Sequence, residues 1–180
     1  MSPPQHEDQA PEPTVLACLD RIEPQARGRA LDVACGRGRH SLELARRGYH
    51  VVALDRSSEA LARLESAARD AGLAVETRRA DLEAPGATLG AGTYALVLVV
   101  NYLWRPLLPA IRSAVSPRGF LVYETFTRQQ ARLGKPTNPD FLLEPGELLR
   151  SFAGFEILDH WERLLAGPRA RAHLFARRPA

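Results

Sequence analysis

The chain has 180 residues, of which 45% are hydrophobic and 25% are charged, and its formal net charge at pH 7 is +3. A chain of this length buries roughly 70% of its unfolded surface, which is enough for one core without disulfides or metals. No apolar run approaches the roughly 20 residues that a membrane span needs, since the longest, residues 95–100, has the length of a strand. The composition therefore favours one globular domain without a membrane partner, and the small charge demands no polyanion.

The first 13 residues differ from the rest of the chain, because they are polar and rich in proline. We expect residues 1–13 to form a disordered tail and residues 14–180 to form a single domain. The tail lacks the basic start and the apolar stretch of a secretion signal. The two cysteines, Cys18 and Cys35, are far apart and lack metal-ligand spacing, which predicts a cytoplasmic protein without a metal site.

Strand and helix patterns alternate along the chain. In chain order they predict a helix over 15–22, a strand over 30–34, a helix over 39–47, a strand over 50–54, a helix over 57–71 and a strand over 74–78. A loop over 82–93 then leads to a strand over 94–100, a helix over 106–115, a strand over 119–126, a long surface excursion over 128–144, a helix over 145–152 and two strands over 155–161 and 171–177. The excursion contains Asn138, Asp140 and Phe141 and is predicted to act as a lid.

This order of elements predicts an α/β fold with a doubly wound, seven-stranded, mostly parallel sheet of the Rossmann-like kind. The last two strands have no helix between them, so we expect them to form an antiparallel hairpin at the C-terminus. In such sheets the ligand lies outside the carboxyl ends of the strands, beside the first strand. Candidate binding residues should therefore follow the predicted strands.

The first strand leads into a glycine loop, Gly36-Arg37-Gly38, and a helix that starts near Arg39. Glycines let the backbone approach a ligand closely, and the free N–H groups of a helix start favour an anion. A dinucleotide-binding loop would have a third glycine where this chain has Ser41. Asp32 also lies inside the first strand, where a buried carboxylate needs a cationic or hydrogen-bonding partner. Both features argue against a nicotinamide or flavin cofactor.

The stretch Asp32-x-Ala34-x-Gly36-x-Gly38 resembles the D/E-x-G-x-G-x-G loop of class I S-adenosylmethionine-dependent methyltransferases, with Ala34 in place of the first glycine. The longer segment LDVACGRGRHSLELARRGYHVVALDRS is similar to the opening of the small tellurite-resistance (TehB-like) branch of that family. Cys35 and Arg39 belong to that pattern. The similarity extends from about residue 15 to the C-terminus.

The resemblance implies S-adenosylmethionine as cofactor and S-adenosylhomocysteine as product. Asp55 ends the second strand, where a carboxylate accepts the ribose hydroxyls in either cofactor class. The resemblance also places Asp81 at the adenine amino group and Leu82 beside the ring. The predicted cofactor-binding residues are Asp32, Ala34, Cys35, Gly36, Gly38, Asp55, Arg56, Asp81, Leu82 and Asn101.

The resemblance further implies a small-molecule methyl acceptor, a soft nucleophile such as a thiol or an oxyanion such as tellurite or selenite. An anionic acceptor needs no strong base if arginines hold it, and Arg39, Arg105 and Arg171 are the candidates. Tyr102 is predicted to wall the acceptor pocket and Glu124 to act as a base. Ordinary surface positions for the arginines and a structural salt bridge for Glu124 stay open as alternatives.

Three rival functions stay open. Methylation of nucleic-acid bases is disfavoured, because residues 101–104, Asn-Tyr-Leu-Trp, lack the two prolines of the base-methylating motif and the chain shows no recognition domain. A non-catalytic S-adenosylmethionine-binding module and a nicotinamide-dependent oxidoreductase are the other two. The sequence is compatible with a monomer or a homodimer.

Overall fold

A computed structural model describes residues 10–180. The helices are α1 Pro13–Asp20, α2 Arg39–Arg46, α3 Ser58–Asp70, α4 Leu108–Ala114 and α5 Glu147–Ser151. The strands are β1 Arg29–Val33, β2 His50–Asp55, β3 Val75–Arg79, β4 Tyr94–Val100, β5 Val115–Phe126, β6 Glu156–Leu165 and β7 Arg169–Arg177. Short 3₁₀ turns occupy Pro24–Ala26, Arg105–Leu107, Arg128–Arg132 and Pro139–Phe141.

The seven strands form one sheet in the order β3-β2-β1-β4-β5-β7-β6. Strands β1 to β5 pair in parallel, whereas β7 runs antiparallel to both β5 and β6. This arrangement confirms the predicted doubly wound sheet and its C-terminal antiparallel hairpin. The chain order reverses between β1 and β4, so a crevice forms at the carboxyl ends of these two neighbouring strands.

The core has two layers, one on each face of the sheet. One layer joins alternate residues of the central strands to α4 and α5, including Val97, Ile111 and Phe152. The other joins the intervening residues to α1 and α2, including Val15 and Leu44. Strand β4 is apolar along its whole length because it is covered on both faces.

The C-terminal hairpin is longer than predicted, since β6 continues to Leu165 and β7 begins at Arg169. The added residues include Glu162 and Arg163, whose charges interrupt the apolar pattern of a strand. Strand β6 tolerates them because it lies at the edge of the sheet, where one side of the strand faces solvent.

The predicted tail falls partly outside the described residues, which begin at Ala10. Residues 10–12 pack on the domain, and Glu12 is only 9% exposed. Its backbone N–H donates to Nε2 of His40 at 3.1 Å. Within residues 10–180, none of the helices is long and apolar enough to cross a membrane.

Candidate active site

A cavity of about 430 Å³ opens at the carboxyl ends of β1, β2, β4 and β5. Residues at or just after the strand ends form most of its wall, and two residues of the excursion complete it. The lining residues are Ala34, Asp55, Arg56, Ala80, Asp81, Leu82, Glu83, Asn101, Tyr102, Leu103, Thr125, Phe126, Pro136 and Phe141. The cavity therefore lies where a doubly wound sheet binds its ligand.

The loop after β1 turns through three left-handed residues, Ala34 with φ 55°, Gly36 with φ 56° and Gly38 with φ 78°. Ala34 thus keeps the backbone conformation of the glycine that it replaces in the motif, at a cost of about 1–2 kcal/mol. Gly38 packs against α3, and a Cβ there would lie 2.3 Å from Cδ1 of Leu64. Gly38 therefore brings the loop into close contact with α3.

Asp55 fixes the loop to the end of β2. Its Oδ2 accepts a hydrogen bond from the backbone N–H of Gly36 at 2.8 Å, and its Oδ1 accepts one from Ser57 at 2.8 Å. A carboxylate offers about four lone-pair positions, so both oxygens keep the capacity to accept from a ligand. Asp55 lines the cavity and places negative charge beside the glycine loop.

Asp32 lies below the loop and is 2% exposed. Oγ of Ser41 donates to its Oδ2 at 2.6 Å. Burial raises the pKa of Asp32 to about 7, and the Ser41 hydrogen bond and the Arg39 charge oppose that rise. Ser41, which breaks the dinucleotide fingerprint, is thus the hydrogen-bonding partner that Asp32 requires.

The remaining predicted cofactor residues divide between the cavity wall and the loop behind it. Arg56, Asp81, Leu82 and Asn101 line the cavity together with Ala34 and Asp55, whereas Asp32, Cys35, Gly36 and Gly38 do not. Oδ1 of Asp81 accepts from the backbone N–H of Glu83 at 3.1 Å. Burial raises the pKa of the Cys35 thiol, so this side chain is a neutral packing group.

Arg39 and Arg105 do not line the cavity. Arg39 Nη2 lies 3.0 Å from Oε1 of Glu12, and its Nη1 donates to the carbonyl of Ala10. Arg105 forms a two-pronged ion pair with Glu147, with N–O distances of 2.8 and 2.9 Å. Each guanidinium is therefore engaged in holding a neighbouring segment of the chain.

Arg171 and Glu124 form a buried ion pair on the α1 side of the sheet, and neither residue lines the cavity. Nη1 of Arg171 donates to Oε1 of Glu124 at 2.8 Å, and the two side chains are 3% and 0% exposed. Thr14 also donates to Glu124, and His173 Nδ1 lies 3.4 Å from it. Burial opposes ionisation, but the bonds from His173, Thr14 and Arg171 lower the pKa of Glu124 to about 2. An ionised carboxylate with these partners is poorly suited to act as a base for a group in the cavity.

Tyr102 lines the cavity, and its carbonyl accepts from the hydroxyl of Tyr123 at 3.0 Å. Its own hydroxyl is buried without a hydrogen-bond partner among residues 10–180. Burial, with Glu83 and Asp81 nearby, raises the pKa of Tyr102 to about 12. The hydroxyl is thus neutral and is available to donate a hydrogen bond to a ligand.

The sequence prediction does not include Thr125, Phe126 and Pro136, which also line the cavity. Thr125 and Phe126 directly follow Glu124, which pairs with Val100 in the register of β4 and β5. They therefore lie beside Asn101, so the parallel pairing of β4 with β5 could have predicted their place in the site. Pro136 has no comparable signal, because it depends on the path of the excursion.

Within residues 10–180, no group of three or more His, Cys, Asp or Glu side chains is arranged to hold a metal ion.

Residues 30–119 match a family model described as a methyltransferase domain. The chain is also 41% identical over 68 residues to the 23S rRNA (uracil(1939)-C(5))-methyltransferase RlmD of Methylococcus capsulatus. That match covers 37% of this chain and 15% of RlmD, so the chain spans only a small part of the length of that relative.

Solved structures of other proteins are similar over nearly the whole chain, and two examples follow. TehB from Haemophilus influenzae is 20% identical with a TM-score of 0.81, over 96% of this chain and 64% of TehB. An S-adenosylmethionine-dependent methyltransferase from Mesorhizobium loti is 19% identical with a TM-score of 0.70, over 91% of this chain and 96% of that chain. These likenesses concern the fold.

Proposed function

Because the chain belongs to the methyltransferase-domain family, we propose that it transfers a methyl group from S-adenosylmethionine to a small-molecule acceptor. The observation that carries the proposal is the row of polar groups at successive strand ends, with Asp55 after the glycine loop and Asp81 one strand further along the same cavity.

The donor set of the cavity fits this cofactor. The Asp55 carboxylate retains lone pairs for the two ribose hydroxyls. Asp81 offers a carboxylate to the adenine amino group, and the buried Leu82 offers an apolar surface to the ring. Ala34 at the start of the glycine loop lines the cavity, so the methionine part would lie beside the loop.

The bound cofactor would supply an electrophilic methyl group on a sulfonium. The chain would contribute alignment and exclusion of water, since well-oriented reactants recover about 7–11 kcal/mol of a barrier. Thr125 and Phe126 at the end of β5 would position the acceptor. No step in this mechanism uses Glu124 or the three predicted arginines, because their partners lie elsewhere.

Two further expectations belong to the same proposal. We propose a cytoplasmic location, which is supported by the two free cysteines, Cys18 and Cys35. The protein would act as a monomer or homodimer. Methylation of nucleic-acid bases is the second candidate function, favoured by the partial similarity to RlmD.

The test is calorimetric titration with S-adenosylmethionine and, separately, with S-adenosylhomocysteine. Micromolar binding of both is expected, and Asp55→Ala should weaken each by roughly 1.5–3 kcal/mol because a charged acceptor is lost. Asp70→Ala is the matched control, since Asp70 is an exposed carboxylate at the end of α3. Absence of binding by a protein with a cooperative thermal transition would refute the proposal. Transfer of radiolabelled methyl into bulk RNA but not into small molecules would favour the second candidate.

A further inference from the structure

The cavity has an apolar side that none of the predicted cofactor residues provides. Thr125, Phe126, Pro136 and Phe141, which we call the apolar subsite, come from the end of β5 and from the excursion. Strand β5 is separated from β2, which ends in Asp55, by β1 and β4. Three strand spacings amount to about 14 Å, so the apolar subsite lies well away from the proposed ribose position.

Two of the three predicted arginines shape this subsite from outside. Arg171 places its guanidinium carbon 4.7 Å from the centroid of the Phe126 ring while it binds Glu124. Arg105 donates to the carbonyls of Asp140 and Leu142, the residues on either side of Phe141. Both cations therefore hold aromatic walls in place and do not face the cavity.

The charge that does face the cavity is unsuited to a strongly hydrated anion. Among residues 10–180, Arg56 is the only cationic side chain in the lining, and it lies at the end of β2 beside Asp55. Asp81 and Glu83 add further negative charge. A hydrated oxyanion entering the apolar subsite would lose its water without gaining charged donors, which is costly.

We propose that the acceptor is a small apolar thiol whose hydrocarbon body packs on Phe126, Pro136 and Phe141, and that oxyanions such as selenite and tellurite are not acceptors. This inference rests on the methyl-transfer function proposed above. A thiolate sulfur is weakly hydrated compared with a selenite or tellurite oxygen, so an apolar wall excludes it less.

The reaction is balanced without a protein base. The thiol loses its proton to solvent, and the thiolate sulfur forms a bond to the methyl carbon. The bond between that carbon and the sulfonium breaks, and its electron pair stays on the sulfur of the departing product. An anion and a cation thereby become two neutral molecules, a change that a low-dielectric cavity favours because charge is cancelled in the transition state.

The experiment uses the full chain with S-adenosylmethionine and follows S-adenosylhomocysteine formation and the methylated product by mass spectrometry. The probes are thiophenol, 4-mercaptobenzoate as an arenethiol of similar acidity that carries a charged group, sodium selenite and sodium tellurite. We expect methylation of thiophenol with a kcat/KM at least about tenfold above that of 4-mercaptobenzoate, the order of discrimination that an apolar pocket provides. We expect no methylation of either oxyanion.

Phe141→Ala tests the subsite directly. Phe141 is 41% exposed, so its truncation should leave the fold intact, and Leu133→Ala is the matched control, a 39% exposed residue of the same excursion that does not line the cavity. Phe141→Ala should raise KM for thiophenol about tenfold, whereas Leu133→Ala should leave it unchanged. Both variants should keep the wild-type affinity for S-adenosylmethionine.

The outcomes separate this inference from the proposed function. Absence of S-adenosylmethionine binding overturns both. Binding with methylation of selenite or tellurite, or binding without methylation of thiophenol, overturns the thiol assignment and leaves the methyltransferase proposal standing. An unchanged KM in Phe141→Ala overturns the apolar subsite.

Discussion

Gly38 is the tightest residue of the candidate site, because its Cα faces the side chain of Leu64 in α3. Gly36, two residues earlier, has a similar left-handed φ but faces open space. A side chain added at either glycine would strain the backbone, because both have a left-handed φ. Only at Gly38 would the added side chain also overlap a neighbouring residue.

Gly38→Ala should therefore lower the free energy of unfolding by about 2–5 kcal/mol, the sum of left-handed strain and overpacking. Gly36→Ala should cost only the strain, about 1–2 kcal/mol. Urea unfolding of the two variants and the wild type measures the difference. Equal losses in the two variants would show that the loop moves away from α3 without cost.

The residues that the sequence predicted best are those whose position follows from a strand end. Asp55, Asp81 and Asn101 all line the cavity because parallel strands bring their carboxyl ends to one edge. The arginines were not predictable in the same way. Nothing in the chain order shows that Glu12 would meet Arg39 or that Glu147 would meet Arg105.

The excursion over 128–144 is the element that completes the cavity, and it is attached by polar contacts as well as by the buried Leu142 and Leu143. Arg105 donates to the carbonyls of Asp140 and Leu142 in the excursion and also to the carboxylate of Glu147 in α5. Gln130 joins its start to the β6–β7 turn, since its Nε2 donates to the carbonyl of Pro168 at 3.1 Å. Residues 137–141 of the excursion are exposed, and an exposed segment held by hydrogen bonds opens at a lower free energy than the core does.

Arg105→Gln should loosen the excursion without disturbing the loop at Asp55. Hydrogen exchange of peptides covering residues 133–144 should become faster, and the affinity for S-adenosylmethionine should stay within about twofold of wild type. Arg132→Gln is the control, because Arg132 is an exposed arginine of the same excursion. Unchanged exchange in Arg105→Gln would show that Arg105 does not hold the segment.

Elements with strong periodicity were predicted closely from the sequence, and the doubly wound kind of sheet was predicted from their alternation. Strand β4 has the predicted bounds because its seven residues are uniformly apolar. Strand β6 was predicted too short because its edge position accepts charged residues. The path of the excursion was not predictable, since it depends on distant partners such as Arg105.

At the scale of the whole molecule, two buried groups with shifted pKa values join α2 to the rest of the fold. Burial raises the pKa of Asp32 from about 3.8 to about 7. Burial, with the charge of Arg39, lowers the pKa of His40 from 6.5 to about 3. Both groups are therefore neutral in the folded protein at mildly acidic pH, and neutral His40 accepts the N–H of Glu12.

The two groups affect stability in opposite directions. Asp32 binds its proton more tightly in the folded state, so its contribution is complete below pH 4 and is lost as the pH rises to about 7. His40 binds its proton less tightly in the folded state, so its contribution is complete above pH 6.5 and is lost as the pH falls to about 3. Between about pH 4 and pH 6.5 the two contributions change in opposite directions. Together they should therefore change the free energy of unfolding of the wild type only slightly over this range.

Substitution of either residue should therefore leave the other residue's effect on the pH dependence of stability unopposed. Asp32→Asn keeps an acceptor for Ser41 and removes the titration, so its free energy of unfolding relative to wild type should rise by about 3 kcal/mol between pH 4.5 and pH 7.5. His40→Gln keeps an acceptor for the Glu12 N–H, and it should instead become less stable as the pH rises over that interval. Urea unfolding at four pH values measures both curves. Curves parallel to that of the wild type would mean that neither group changes its protonation on folding, and the buried carboxyl under the glycine loop would then be ionised throughout.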